Sequence, residues 1–328
     1  MFIQRVKMSV VDRRAAARGP GLAGISGATR RLAAGAVLFA LAAPTLGIAP
    51  VLAAPPATPS GNVEAVCPPA TPGTAQCLAL RLTNVAALPA TAALSLRTPG
   101  YYGPADIQDA YALPTGSEGT GRTVAVVDAG DLPTAESDLA AYRSYFKLPP
   151  CTTANGCFHK VNQTGGTDVS GIGDWGWGLE IALDMEMVSA ACPNCNILLV
   201  EADSDHFDDL GTGVNTAVSM GATAVSNSYG SQEYSTSGPA WDKYYNHPGV
   251  TITAATGDCG YDCAGGAVPS VAYPAASSYV IAVGGTSLRR DSSARGWTES
   301  AWGNAFGGPG SGCSFEAKPA WQLSLIHI

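Results

Sequence analysis

Apolar residues gather in five continuous runs: TVAVVD (123 to 128), NILLVEA (196 to 202), ATAVSNS (222 to 228), VTITAAT (250 to 256) and YVIAVGG (279 to 285). Unbroken apolar runs of this length are the texture of strands buried on both faces. Between them, segments at 135 to 146, 177 to 191, 208 to 220 and 238 to 246 carry helical spacing, and Pro193 and Pro248 fall just past two of their ends. Strand and helix alternating at short intervals predict an α/β fold, a parallel sheet flanked by helices. Ligands in such sheets bind beyond the carboxyl ends of the strands. The polar stretches DAGD, EADSD, SNSYG, TGDCG and GGTS all sit at those ends and therefore share one rim.

The first hundred residues follow another pattern. Arg30 and Arg31 precede the apolar run LAAGAVLFALA and a small-residue stretch ending at Ala54, and Pro44 and Pro50 interrupt the segment. That layout favours a cleaved export signal over residues 1–54 against the alternative of a membrane anchor. Thr29-Arg30-Arg31 also matches the start of a twin-arginine signal. Residues 55–98, rich in Pro, Ala and Thr, read as a linker or short propeptide that builds no core. The globular domain is then 99–322, followed by an aberrant tail at 323–328.

Charge and cysteine content narrow the function. Without the seven basic residues and one acid of the first 54, the chain holds 11 basic against 25 acidic residues. Such a surface repels nucleic acid and anionic membranes, so neither is an expected partner. Its repulsion fades at low pH, where carboxylates become neutral. Nine cysteines in an exported chain read as disulfides. Cys67 and Cys77, Cys151 and Cys157, Cys192 and Cys195, and Cys259 and Cys263 each close a small loop if bonded, although spacing leaves the connectivity open. Cys313 is left over. A zinc site is disfavoured because the lone C-x-x-C has no nearby histidine, and no other metal site is assigned.

The helix GLEIALDMEMVSAA is apolar almost all round, yet it carries Glu180 and Asp184 four residues apart, about 40° from each other on one face. Two carboxylates in a buried helix desolvate and repel one another and raise at least one pKa, an arrangement associated with function. The alternative is that both acids face water, as Glu186 on the other side is expected to do. Asp258 lies in a Gly-bounded turn at the rim, where an acid either forms the turn or acts in a site. Ser226, Ser228 and Gly230 are placed to hydrogen-bond an extended peptide. Asp128, ending VAVVDAG, invites a Ser/His/Asp reading, but His159, His206, His247 and His327 all lack an H-G-T context that would supply the base. Asp128 is therefore expected to be a structural or rim residue. No phosphate-loop or H-E-x-x-H motif is present, and the G-x-G at Gly211 and Gly213 falls inside a helix.

Taken together, WGWGLEIALDMEMVSAACP, VSNSYG, ATGDCGYDC, YPAASSYVIAVGGTSL, GWTESAWG and KPAWQ resemble, in order and spacing, the sedolisin family of serine-carboxyl peptidases over about residues 99 to 322. The resemblance implies a subtilisin-like fold, incomplete at its C-terminus here, and an endopeptidase acting on proteins or peptides at acidic pH. It assigns Glu180 as general base, Asp184 as the group behind it, and Asp258 as oxyanion donor. The nucleophilic serine is expected beyond residue 328, because the single GGTS, ending in Ser287, precedes a loop or hairpin, LRRDSSARGW, and not a helix. Calcium belongs to the complete family fold, with its ligands expected outside this chain. The protein is expected to be secreted and monomeric. A secreted, non-catalytic peptide-binding relative is the competing reading.

Overall fold

A computed structural model of the chain describes residues 63–82, 102–169, 173, 176–233, 238–261, 271–303 and 307–319. The export signal and the 323–328 tail lie outside the described residues.

Strands β1 (Val63–Ala65), β2 (Gln76–Cys77) and β3 (Leu80–Leu82) come first, followed by helix α1 (Pro104–Ala110). Then alternate β4 (Thr123–Ala129), α2 (Ala135–Tyr145), β5 (Phe158–Asn162), α3 (Gly178–Ala191), β6 (Asn196–Ala202), α4 (Phe207–Ser219) and β7 (Ala224–Asn227). After β8 (Tyr229–Gln232), the short helix α5 (Gly238–Trp241) and a 3₁₀ turn, the chain forms β9 (Thr251–Ala255), β10 (Cys259–Tyr261), β11 (Ala272–Tyr273) and β12 (Ile281–Val283). The hairpin β13 (Thr286–Arg290) and β14 (Trp297–Ala301) and the strand β15 (Gly308–Ser311) complete it.

The main sheet has six strands in the order β12-β9-β7-β4-β6-β5, and every pairing in it is parallel. Its centre is driest: Val126, Val127, Ile197, Leu199 and Val200 are fully buried, as their unbroken apolar runs require. Parallel strands need crossover helices to cover both faces. Helix α4 can lie close on the sheet because Gly213 has no side chain; a Cβ there would stand 2.9 Å from Val127 Cγ1. The other glycine of the pair, Gly211, makes room for Tyr244 of the 3₁₀ turn, whose ring would stand 2.4 Å from a Cβ there.

All five expected strands form, each within two residues of the expected ends. The helix expected at 238–246 is shorter, four residues and a 3₁₀ turn. Strand β5 was not foreseen; it is an edge strand whose exposed His159 and half-buried Lys160 break up the apolar run. The segment at LRRDSSARGW is a hairpin, and its Leu288 and Trp297 form a small second core with Ala110 of α1.

One expectation is corrected. Residues 63–82, read as part of a coreless stretch, contribute Cys67, Ala75, Cys77 and Ala79 to the main core, and β2 pairs with β8. Alanine and cysteine bury well without the large apolar side chains that mark a core segment in sequence. Three of the close cysteine pairs are disulfides: Cys67–Cys77, Cys151–Cys157 and Cys192–Cys195. Cys259 is disulfide-bonded too, while Cys263 lies outside the described residues. Cys313 is exposed and free.

Candidate active site

Helix α3 is buried on nearly all sides, since its residues are apolar around the whole circumference and it packs between α1, α2 and the sheet. Glu180 and Asp184 go into the interior with it, at 3% and 8% exposure. Glu180 Oε2 accepts the backbone N–H of Leu78 over 3.0 Å. Asp184 Oδ1 accepts the hydroxyl of Ser228 over 2.8 Å, while its Oδ2 is buried without a hydrogen-bond partner.

Burial raises the pKa of both acids. For Glu180 the rise is large: desolvation leads, the charges of Asp184 and Asp128 add to it, and the Leu78 amide opposes it. Asp184 is pushed up to about 7 by burial, against the pull of the Ser228 hydroxyl. At mildly acidic pH this coupled pair therefore keeps a proton that exposed carboxyls would have lost, because ionising either acid disfavours ionising the other.

Asp128 is fully buried at the carboxyl end of β4, where neither of its oxygens has a hydrogen-bond partner. Desolvation, then the charges of Asp184 and Glu201, raise its pKa far above the usual range. It is buried in the sheet and close enough to Asp184 and Glu180 for their charges to act on one another. Glu201 stands opposite Asp128 in the β4–β6 register and is also fully buried. It accepts the Leu132 N–H at 2.9 Å and meets Lys160 at 3.1 Å. Lys160 also bonds Asp131, so this corner is charge-compensated whereas Asp128 is not.

Asp258 sits half-buried in the turn between β9 and β10. Its pKa rises to about 6 by burial, and its charge acts on Glu180, which brings the turn to the same rim. The three residues expected to bind peptide behave differently from one another. Ser228 gives its hydroxyl to Asp184. Gly230 lies on β8 and pairs with Gln76 of β2, and a Cβ there would be a tight fit, 3.0 Å from the Tyr273 carbonyl oxygen. Ser226 stays in the main sheet, opposite Thr253. Strand β8, which carries Gly230, is flanked by β2 on one side and β11 on the other.

Glu186 corrects another expectation. It does not face water but is 3% exposed, with Oε1 unpartnered and a pKa pushed up to about 8, chiefly by burial. Packing of α2 against α3 encloses the side of the helix that a two-faced reading assigned to solvent. Ser287 lies within β13, opposite Ser300, and opens no helix. Sequence reasoning missed Leu78, whose contribution is a main-chain amide with no signature in residue type. Among the described residues no group of three or more His, Cys, Asp or Glu is arranged to hold a metal ion, so no step is derived through calcium.

A parallel sheet whose carboxyl rim collects these acids defines a subtilisin-like peptidase fold, and residues 158–309 match the subtilase family. The chain is 31% identical over 239 residues to kumamolisin from Bacillus sp. (strain MN-32), a match covering 68% of this chain and 42% of that protein. Among solved structures it is similar to the Pseudomonas sedolisin, a serine-carboxyl proteinase complexed with pseudo-iodotyrostatin, with TM-score 0.56 and 26% identity over 69% of this chain and 66% of that one. The chain belongs to the sedolisin family of subtilisin-like peptidases. It spans less than half the length of kumamolisin.

Proposed function

We propose that the whole protein is a secreted endopeptidase that hydrolyses peptide bonds of protein or peptide substrates at acidic pH, with Glu180 as general base for a serine hydroxyl, Asp184 behind it, and Asp258 as oxyanion donor. The observation that carries this reading is the buried Glu180 and Asp184 pair on one helix, with Asp258 at the same rim and all three pKa values raised.

The roles follow from proton affinity. A carboxylate base works best near its own pKa, and burial has moved the pair up from the ordinary range. The ionised Glu180 carboxylate takes the serine proton and becomes neutral as the serine oxygen bonds to the carbonyl carbon, while Asp184, oriented by the Ser228 hydroxyl, stands behind it. Below about pH 6 the Asp258 carboxyl is protonated and donates a hydrogen bond to the developing oxyanion; above that value its negative charge opposes the oxyanion. Ser287 is not assigned as the nucleophile. Disulfides and the Arg30-Arg31 leader support secretion, and we propose a monomer that binds neither nucleic acid nor, after signal cleavage, membrane. Calcium is proposed for the complete fold only.

The test is hydrolysis of an unfolded protein substrate by the whole protein and its Asp258→Asn variant between pH 3 and 8. Loss of about a hundredfold in the variant supports the oxyanion role, and unchanged turnover refutes it. The competing reading is a peptide-binding relative without catalysis. Binding of the substrate with no cleavage at any pH is its signature.

A further inference from the structure

Glu233 directly follows β8 and is 2% exposed, yet the proposed chemistry makes no use of it. A carboxylate at that depth must have its oxygens satisfied. Both are: Oε1 accepts the Ser314 hydroxyl at 2.8 Å and Oε2 accepts the Phe315 N–H at 3.0 Å. Glu233 is itself held in place, because its N–H donates to the Val271 carbonyl at 2.9 Å. The segment around residue 314 is therefore fixed to the end of β8 across about eighty positions of sequence.

The same segment shapes the Asp258 turn. Immediately upstream, β15 runs parallel to β10, and Gly308 N–H donates to the Asp258 carbonyl while Gly310 N–H donates to the Gly257 carbonyl, each at 2.9 Å. The two backbones are in very close contact. A Cβ on Gly307 would stand 1.8 Å from the Asp258 carbonyl oxygen, and one on Gly310 would stand 1.7 Å from that of Thr256. Glycine is required at both positions by contact, and at Gly307 also by a φ of 145°. The turn 256–258 thus takes its position from β15, and β15 is held at its far end by Glu233.

We infer that Glu233 is a positioning residue for Asp258, acting through Gly308–Phe315 as a brace between the end of β8 and the Asp258 turn. The inference rests on the reading of Asp258 as a working residue of the site, but its mechanical content does not. One carboxylate locks β8 and the proposed oxyanion turn into a single frame, which preorganised charge stabilisation demands.

The test uses this chain and its Glu233→Ala and Ser314→Ala variants, followed by amide hydrogen exchange and by carbon NMR titration of the aspartate carboxyls. In Glu233→Ala the Gly308 and Gly310 amides are expected to exchange at least about tenfold faster while the amides of β4 and β6 keep their protection. The Asp258 midpoint is expected to fall toward the ordinary carboxylate range by about half a pH unit or more as water enters the turn. Ser314→Ala, which removes one of the two bonds, should give smaller changes in the same direction. Unchanged exchange at Gly308 and Gly310 with an unchanged Asp258 midpoint overturns the inference. So does a uniform loss of protection across the sheet in both variants, which would make Glu233 a general stabiliser. If the brace behaves as inferred but Asp258→Asn keeps full turnover in the whole protein, the proposed function fails and the brace stands.

Discussion

The main-chain N–H of Leu78 donates to Glu180 Oε2 over 3.0 Å, joining residues 102 positions apart. Leu78 follows β2, which pairs antiparallel with β8 at Tyr229 and Gly230, so the disulfide-closed Cys67–Cys77 loop lies against the rim beside the proposed base. A donor to a carboxylate favours its charged form. Leu78→Pro removes that donor and is expected to raise the Glu180 midpoint further, by about 1 pH unit, in a carbon NMR titration of the glutamate carboxyls. An unmoved midpoint would mean that the contact does not tune Glu180.

Ser228 is the matching partner of Asp184. Ser228→Ala leaves Asp184 Oδ1 without its donor and is expected to lift the Asp184 midpoint above about 7, by about 1 pH unit, whereas Ser228→Thr keeps the hydroxyl and restores the original value. A midpoint that is the same in all three proteins would show that the hydroxyl does not support the carboxylate.

Glu186 makes stability depend on pH in a definite direction. Burial first, and the charge of Asp138 second, raise its pKa from 4.5 to about 8. The folded state therefore binds this proton more tightly than the unfolded chain does, so the stabilisation is complete below about 4.5 and is lost as pH rises through about 8. Glu186→Gln removes that dependence. Its melting temperature should fall less than that of the parent between pH 5 and pH 8, by about 2 °C or more. Parallel curves for the two proteins would contradict the assignment.

Gly213 reports on packing. A methyl group there stands 2.9 Å from Val127 Cγ1 and 3.4 Å from Val200 Cγ1, in the driest part of the sheet. Gly213→Ala gains helix propensity of about 1 kcal/mol but overpacks the α4 contact at a cost of about 1–3 kcal/mol. A net loss of stability in urea unfolding is expected, and a gain would mean that α4 can move off the sheet without cost.

Much of the fold was legible because its strands are buried on both faces and its helices are punctuated by proline. Glu180, Asp184 and Asp258 stood out for a related reason, being acids in places that residue type alone marks as apolar or tightly turned. What stayed hidden depends on contacts that residue type does not encode. Leu78 acts through its backbone. The 63–82 segment buries alanines and a disulfide in place of a conspicuous apolar stripe. Glu186 is enclosed by a neighbouring helix whose docking no period in α3 announces. Strand β5, at the sheet edge, has too mixed a pattern to stand apart from a loop.

The measurement that bears most directly on the central claim is the pH dependence of kcat/KM for peptide hydrolysis by the whole protein and its Glu180→Gln variant. The account predicts activity greatest below about pH 6, where Asp258 is protonated, and a loss of about a hundredfold or more in the variant with the fold intact. Equal activity at pH 4 and pH 7, or a fully active Glu180→Gln variant, would contradict it.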